Sequence, residues 1–112
     1  MSKKTEALEN EILRVMSQRP FRWMTPPMIR SELSSKYASA MSVVHLQSLT
    51  IRGYLQRHRS DEIPGFVDPH PLPSDFAPHM CYRVTEDGSR LPAQRELKHT
   101  SRQTVLRPGW AT

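Results

Sequence analysis

The stretch Leu49-Thr50-Ile51-Arg52-Gly53-Tyr54-Leu55-Gln56-Arg57 decides how this chain folds, and it is answered further along by Tyr82-Arg83-Val84-Thr85-Glu86-Asp87-Gly88-Ser89-Arg90-Leu91. The first segment reads as a helix that stops at a glycine and passes directly into a strand, because Gly53 can take the left-handed backbone angle that ends helices. The second reads as a strand that stops at Thr85. That threonine can cap a following polar helix, with Glu86 and Asp87 near the helix's positive end.

Upstream, the pattern is helical. Leu8, Ile12, Val15 and Met16 form one apolar stripe of an amphipathic helix from about Thr5 to Arg19, with Thr5 as its cap. Pro20 ends it, and Phe21-Arg22-Trp23-Met24 reads as a brief strand whose aromatic residues enter the core. In Thr25-Pro26-Pro27, threonine supplies a cap oxygen and the prolines occupy positions that need no intrahelical donor. This predicts a helix over Pro26–Ser35 that buries Ile29 and Leu33, with Tyr37 closing the turn. A third helix begins near Ser39 or Ser42 and ends at Arg52, turning Leu46 and Leu49 inward. Two helices joined by a turn, the second leading into a strand, make a helix-turn-helix.

Between Arg59 and Met80 lie twenty residues that include Pro64, Pro69, Pro71, Pro73 and Pro78. Proline removes amide donors and favours extended backbone, so the segment is expected to run as a polyproline-like excursion or to stay mobile. It carries Asp61, Glu62, Asp68 and Asp75 without one Lys or Arg. Pro92 lies close after the Thr85 cap, leaving one or two further turns over Ala93–His99 that could pair with another subunit. From Thr100 the polar composition predicts a mobile tail. Arg95, Lys98, Arg102 and Arg107 could follow a phosphate backbone. The expected organisation is a domain over 1–91, with a proline-rich loop at 60–79, and a basic extension over 92–112.

Composition narrows the function classes. A length of 112 residues suits one domain with a modest core. No apolar run spans a bilayer and the charged N-terminus lacks a secretory core, so a cytoplasmic, non-membrane protein is expected. One cysteine, Cys81, leaves no internal disulfide. His58, His70, His79 and Cys81 gather loosely around the loop but lack the paired spacings of zinc ligands, so no metal is assigned. With no phosphate-cradling glycine loop and no nucleophile-base arrangement, neither a catalytic residue nor a cofactor is assigned, and an enzyme is not expected. Cys81 reads as a packed strand residue. The net charge of +5 is unevenly distributed. Residues 1–60 carry ten Lys or Arg against four acids, residues 88–112 five against one, and residues 61–87 one against six. The two basic segments are where a polyanion would sit most favourably.

Through Leu49–Arg57 and Tyr82–Gly88, following two helices, the chain resembles winged helix-turn-helix transcriptional regulators of the MarR and PadR kind over roughly residues 5–91. The resemblance implies an α+β fold, a three-helix core with a small antiparallel β-sheet wing. It also implies binding to double-stranded DNA, as a small bacterial or phage regulator that occupies an operator. In such proteins the third helix enters the major groove. Its contact candidates here are Ser39, Ser42, Val44, His45, Gln47 and Ser48: Gln47 can pair with adenine, Val44 can pack on a thymine methyl, and the serines can meet phosphate or bases. The third helix contains no Lys or Arg, so phosphate contacts are expected from Arg30, Lys36, Arg52, Arg57, Arg59 and Arg83. An acidic loop tip should be repelled by a minor groove. A homodimer would read two half-sites, although no long dimerisation helix is expected. The alternative is a protein-protein adaptor or inhibitor, with the apolar third helix or the acidic loop meeting a protein partner.

Overall fold

The computed structural model describes residues 3–105, and side chains through Glu96. The elements run α1 (Lys3–Ser17), α2 (Pro26–Glu32), α3 (Ser35–Ala40), α4 (Val43–Ile51), β1 (Leu55–Arg59), a 3-10 turn (Ser60–Glu62), β2 (Met80–Val84) and α5 (Glu86–Val105). Five helices and a two-stranded antiparallel sheet make a mixed α+β arrangement consistent with a winged helix. No helix among the described residues is long and apolar enough to cross a membrane.

One core serves all of these elements. Leu8, Ile12, Leu13 and Met16 of α1 meet Met28 and Ile29 of α2, Leu46 and Leu49 of α4, and Leu55, Tyr82 and Val84 of the sheet. α1 starts at Lys3, so Thr5 lies inside its first turns and does not cap it. Thr25 caps α2 as expected and is itself fully buried. The amide of Met28 reaches Thr25 Oγ1 at 3.4 Å, while the Met28 sulfur faces the Thr25 amide at 3.5 Å in place of the usual acid or amide.

The middle of the chain departs from the expected two-helix reading. α2 ends at Glu32, and the serine-rich segment that follows forms a separate short helix, α3, containing Tyr37 and Ser39. The groove-facing helix of the resemblance is therefore α4, which starts at the later of the two expected caps, Ser42, and ends at Arg52. The brief strand before α2 is reduced to a single bridge, Met24 paired with Tyr82. Only Met24 of that stretch is core. Phe21 is 86% exposed and Trp23 lies half-buried on the outer face of the sheet.

The two segments that open the sequence reading meet in space. Gly53 has φ +87°. Its amide bonds Thr50 O at 3.0 Å and that of Tyr54 bonds Leu49 O at 2.9 Å, the paired bonds of a Schellman helix end. Thr85 then ties this corner to α5. Its amide donates to Tyr54 O at 3.1 Å, its hydroxyl donates to Gly53 O at 2.7 Å, and it accepts from the Gly88 amide at 3.0 Å. Gly88 sits so close to Tyr54 that a Cβ there would lie 2.0 Å from the Tyr54 carbonyl oxygen.

The proline-rich loop is tied to its own domain: a 3-10 turn starts it, Ser60 N–H donates to His79 O at 2.9 Å, and Phe66 packs against the core. Asp68 accepts from the His70 amide at 2.8 Å and contacts His79 Nδ1 at 2.6 Å, tying the middle of the excursion to its end. The helical turns expected after Pro92 are present but belong to one helix, α5, that runs through the proline to Val105, so the boundary placed at residue 91 falls inside a twenty-residue helix. Pro92 cannot donate to Gly88 O. The helix is held to α1 across this break by the Arg14–Glu96 ion pair and by Arg95, which donates to Asn10 Oδ1 at 2.6 Å. Of the tail expected from Thr100, residues 100–105 belong to α5, and the rest lies outside the described residues.

Candidate nucleic-acid interface

α4 is anchored by Leu46 and Leu49, which are fully buried, and this anchoring turns a different set of side chains outward. Val44, Gln47 and Ile51 follow at i, i+3 and i+7 and share one face. Val44 is 68% and Ile51 85% exposed, Gln47 stands exposed between them, and Val43 borders the row. Ser48 is half-buried at its edge. His45 does structural work at the start of the helix: its Nδ1 accepts from the Ser42 amide at 3.0 Å. Ser42 is thus the cap residue of α4, while Ser39 belongs to α3 and turns its hydroxyl back to Lys36 O at 3.2 Å.

The six cations proposed for phosphate contact are not gathered on one surface. Arg52 turns inward from the end of α4 and pairs with Glu9, which is 1% exposed. Arg95 approaches the same carboxylate at 3.4 Å, so one buried acid joins α1, α4 and α5. Arg59 is held by Asp61 at 2.8 Å and by Glu62 at 3.9 Å, so the acids of the loop neutralise the nearest wing arginine. Arg83 stands opposite Gln56 in the strand register, and Arg57 opposite Tyr82. Side chains alternate across a sheet, so Arg57 and Arg59 share the face of Leu55, whereas Arg83 lies on the other face. There its guanidinium stacks 4.5 Å over the Trp23 ring and donates to Gln56 Oε1 at 2.7 Å; Trp23 also meets His58 edge-on at 5.1 Å. Arg30, Lys36 and Arg57 have no carboxylate partner among the described residues. Arg30 makes only a long contact to Met41 O at 3.4 Å, and Lys36 lies 5.5 Å from the Tyr37 ring.

Sequence reading missed two features. The partner of Arg52 is 43 residues away in the chain, with no local signal to mark it. Lys3 and Lys4, read only as a charged start, line a shallow groove together with Lys36.

The loop has its own chemistry. Partial burial raises the Asp68 pKa, but hydrogen bonds from the His79 side chain and the His70 amide outweigh it and hold the carboxyl below its ordinary value. Cys81 is fully buried, and burial followed by the nearby Asp68 charge pushes its thiol up to about 11. It is the packed residue expected. Among the described residues no three His, Cys, Asp or Glu side chains converge as a metal site.

No family profile matches the sequence, and no curated protein matches it. Among solved structures, the chain is similar to a mutant of Lactococcus lactis ZitR in apo form, at 10% identity and a TM-score of 0.45. The match covers 92% of this chain, which spans 64% of that one.

Proposed function

We propose that this chain binds double-stranded DNA as a winged-helix regulator that acts by occupying its site, with α4 entering the major groove. The observation that carries the reading is the outward row Val44, Gln47 and Ile51 on a firmly anchored helix. Arg30, Lys36 and Arg57 lie on neighbouring elements without an acid to neutralise them. A carboxamide matches the N6 and N7 edge of adenine and a branched apolar group matches the thymine methyl, so the row favours A·T pairs. These cations, with no acid beside them, would supply the sequence-independent attraction. Selection from random duplexes, followed by gel shift, tests this. Gln47→Ala should weaken the selected site by about 1–3 kcal/mol and leave unrelated duplexes unaffected. Failure to enrich any duplex overturns the reading.

A second reading, a protein-binding winged helix, draws on a specific observation: Val44 and Ile51 are apolar and exposed, and three of the six expected cations are committed within the molecule. Binding of such a partner would vary little with salt and would survive Arg57→Ala, while Val44→Asp would abolish it.

A further inference from the structure

The first turn of α1 and the short helix α3 pack side by side, and between them lies a groove of about 410 Å³ lined by Lys3, Lys4, Ala7, Lys36, Tyr37 and Ala40. Three lysines, from two elements, line it. The carboxylates of α1 and α2 are engaged elsewhere: Glu6 with Arg95 at 3.7 Å, Glu9 with Arg52, Glu11 with Arg14 at 4.0 Å and Glu32 with Arg22 at 3.9 Å. None of the three lysines has a carboxylate partner among the described residues. Ala7 and Ala40 add no bulk, so a ligand can come close.

Lysine is a flexible point charge, without the fork that fixes a single oxyanion in one orientation. Three of them along an open groove suit a line of phosphates better than one small anion. The position of the groove says which line. Ala40 is two residues from Ser42, the cap of α4, so the groove adjoins the end of the helix that the duplex-binding reading sends into the major groove. Resting on that reading, we propose that Lys3, Lys4 and Lys36 grip the phosphate backbone at one rim of that groove. α1 is then a DNA-contacting element as well as a core helix. Such contacts fix register and orientation without reading sequence.

The test uses the full chain and a fluorescent random-sequence duplex, with affinity measured over a range of salt. Each phosphate contact contributes about 0.9 to the slope of log affinity against log salt, so the triple variant K3Q/K4Q/K36Q should lose roughly 2–3 of that slope. The lysines are exposed, so its melting temperature should match that of the parent. K3R/K4R/K36R should retain the slope, and Gln47→Ala should leave it unchanged. If the parent binds duplex and the triple variant keeps its slope within about 0.5, the groove assignment fails while duplex binding stands. If the parent binds no duplex at low salt, both fail together. Loss of binding to phosphatidylserine vesicles with the duplex slope unchanged would reassign the groove to lipid headgroups and overturn the proposal.

Discussion

Gly88→Ala should be among the most damaging single-methyl changes in this protein, and its cost can be worked from the corner where α5 starts. The added Cβ would lie 2.0 Å from Tyr54 O and 3.0 Å from Val84 Cγ2, whereas ordinary contact begins near 3.4 Å. The obstacle is backbone, so no rotamer change relieves it. The start of α5 must move by about 1.4 Å, taking the 3.1 Å Thr85–Tyr54 hydrogen bond out of range and straining the Thr85–Gly53 bond. One lost and one strained hydrogen bond cost up to about 1 kcal/mol each, and overpacking adds roughly 1–3. The better helix propensity of alanine returns less than about 1 kcal/mol. A net loss of about 2–4 kcal/mol should lower the melting temperature by roughly 10–25 °C, a large share of a small domain's stability. Gly53→Ala is the built-in control. Nothing lies within 4 Å of a Cβ there, so only its φ of +87° is penalised, at about 1–2 kcal/mol. Thermal and urea unfolding monitored by circular dichroism reads both. A Gly88→Ala protein more stable than Gly53→Ala, or within about 0.5 kcal/mol of the parent, would refute the close approach of α5 to Tyr54.

Arg52→Ala leaves the buried Glu9 with only the more distant Arg95, so urea denaturation should show a loss of about 2–4 kcal/mol, while duplex affinity per folded molecule stays within about twofold; Arg57→Ala should do the reverse. The clasp between Asp68 and His79 should depend on acid. Because the carboxyl is held below its ordinary value of 3.8, its contribution is complete above that value and is lost as pH falls through the depressed one. Hydrogen exchange of residues 60–79 should therefore quicken on acidification, after correction for intrinsic rates, and Asp68→Asn should remove the pH dependence. Cys81, buried with a thiol pushed up to about 11, should resist a thiol reagent at pH 8, where only on the order of one molecule in a thousand is thiolate, and react fully once urea unfolds the chain.

The parts of this fold that were legible in the sequence are those set by local backbone chemistry. Gly53 announces a helix end because few residues tolerate its angle, and Thr85 announces a helix start because its hydroxyl satisfies an orphan amide. Thr25-Pro-Pro is legible for the same reason. Pro92 misled because a local rule was overridden by tertiary contacts along α1. α3 was hidden in a run of serines, any of which is an acceptable cap, so composition could not say where one helix stopped and the next began. In the candidate interface, the outward row of α4 was legible in part: Val44 and Gln47 follow from placing Leu46 and Leu49 inward, but exposed Ile51 was not singled out. The fate of each arginine was not legible. A guanidinium declares its charge locally, but its partner is set by packing across the chain. Which face a wing arginine occupies depends on a strand register that a twenty-residue connection does not determine.

That last point changes what the net charge of +5 means for a polyanion. Arg52 is committed to the core, Arg59 to the acids of its own loop and Arg83 to Trp23 on the outer face. Among the described residues, the cations that combine exposure with the absence of an acid on the α3 and α4 side reduce to Lys3, Lys4, Arg30 and Lys36, joined by Arg57 on the inner face of the ribbon. Five contacts bound the salt slope at about −4.5. A protein-binding surface built on Val44 and Ile51 would give a slope near zero. The acids of the loop sharpen the distinction: by holding Arg59, Asp61 and Glu62 remove the wing tip from the cationic surface, so neutralising both should steepen the slope by about one contact if a duplex passes the wing. An unchanged slope in Asp61→Asn/Glu62→Gln would place the wing away from the duplex and leave recognition to α4 and the elements flanking its start.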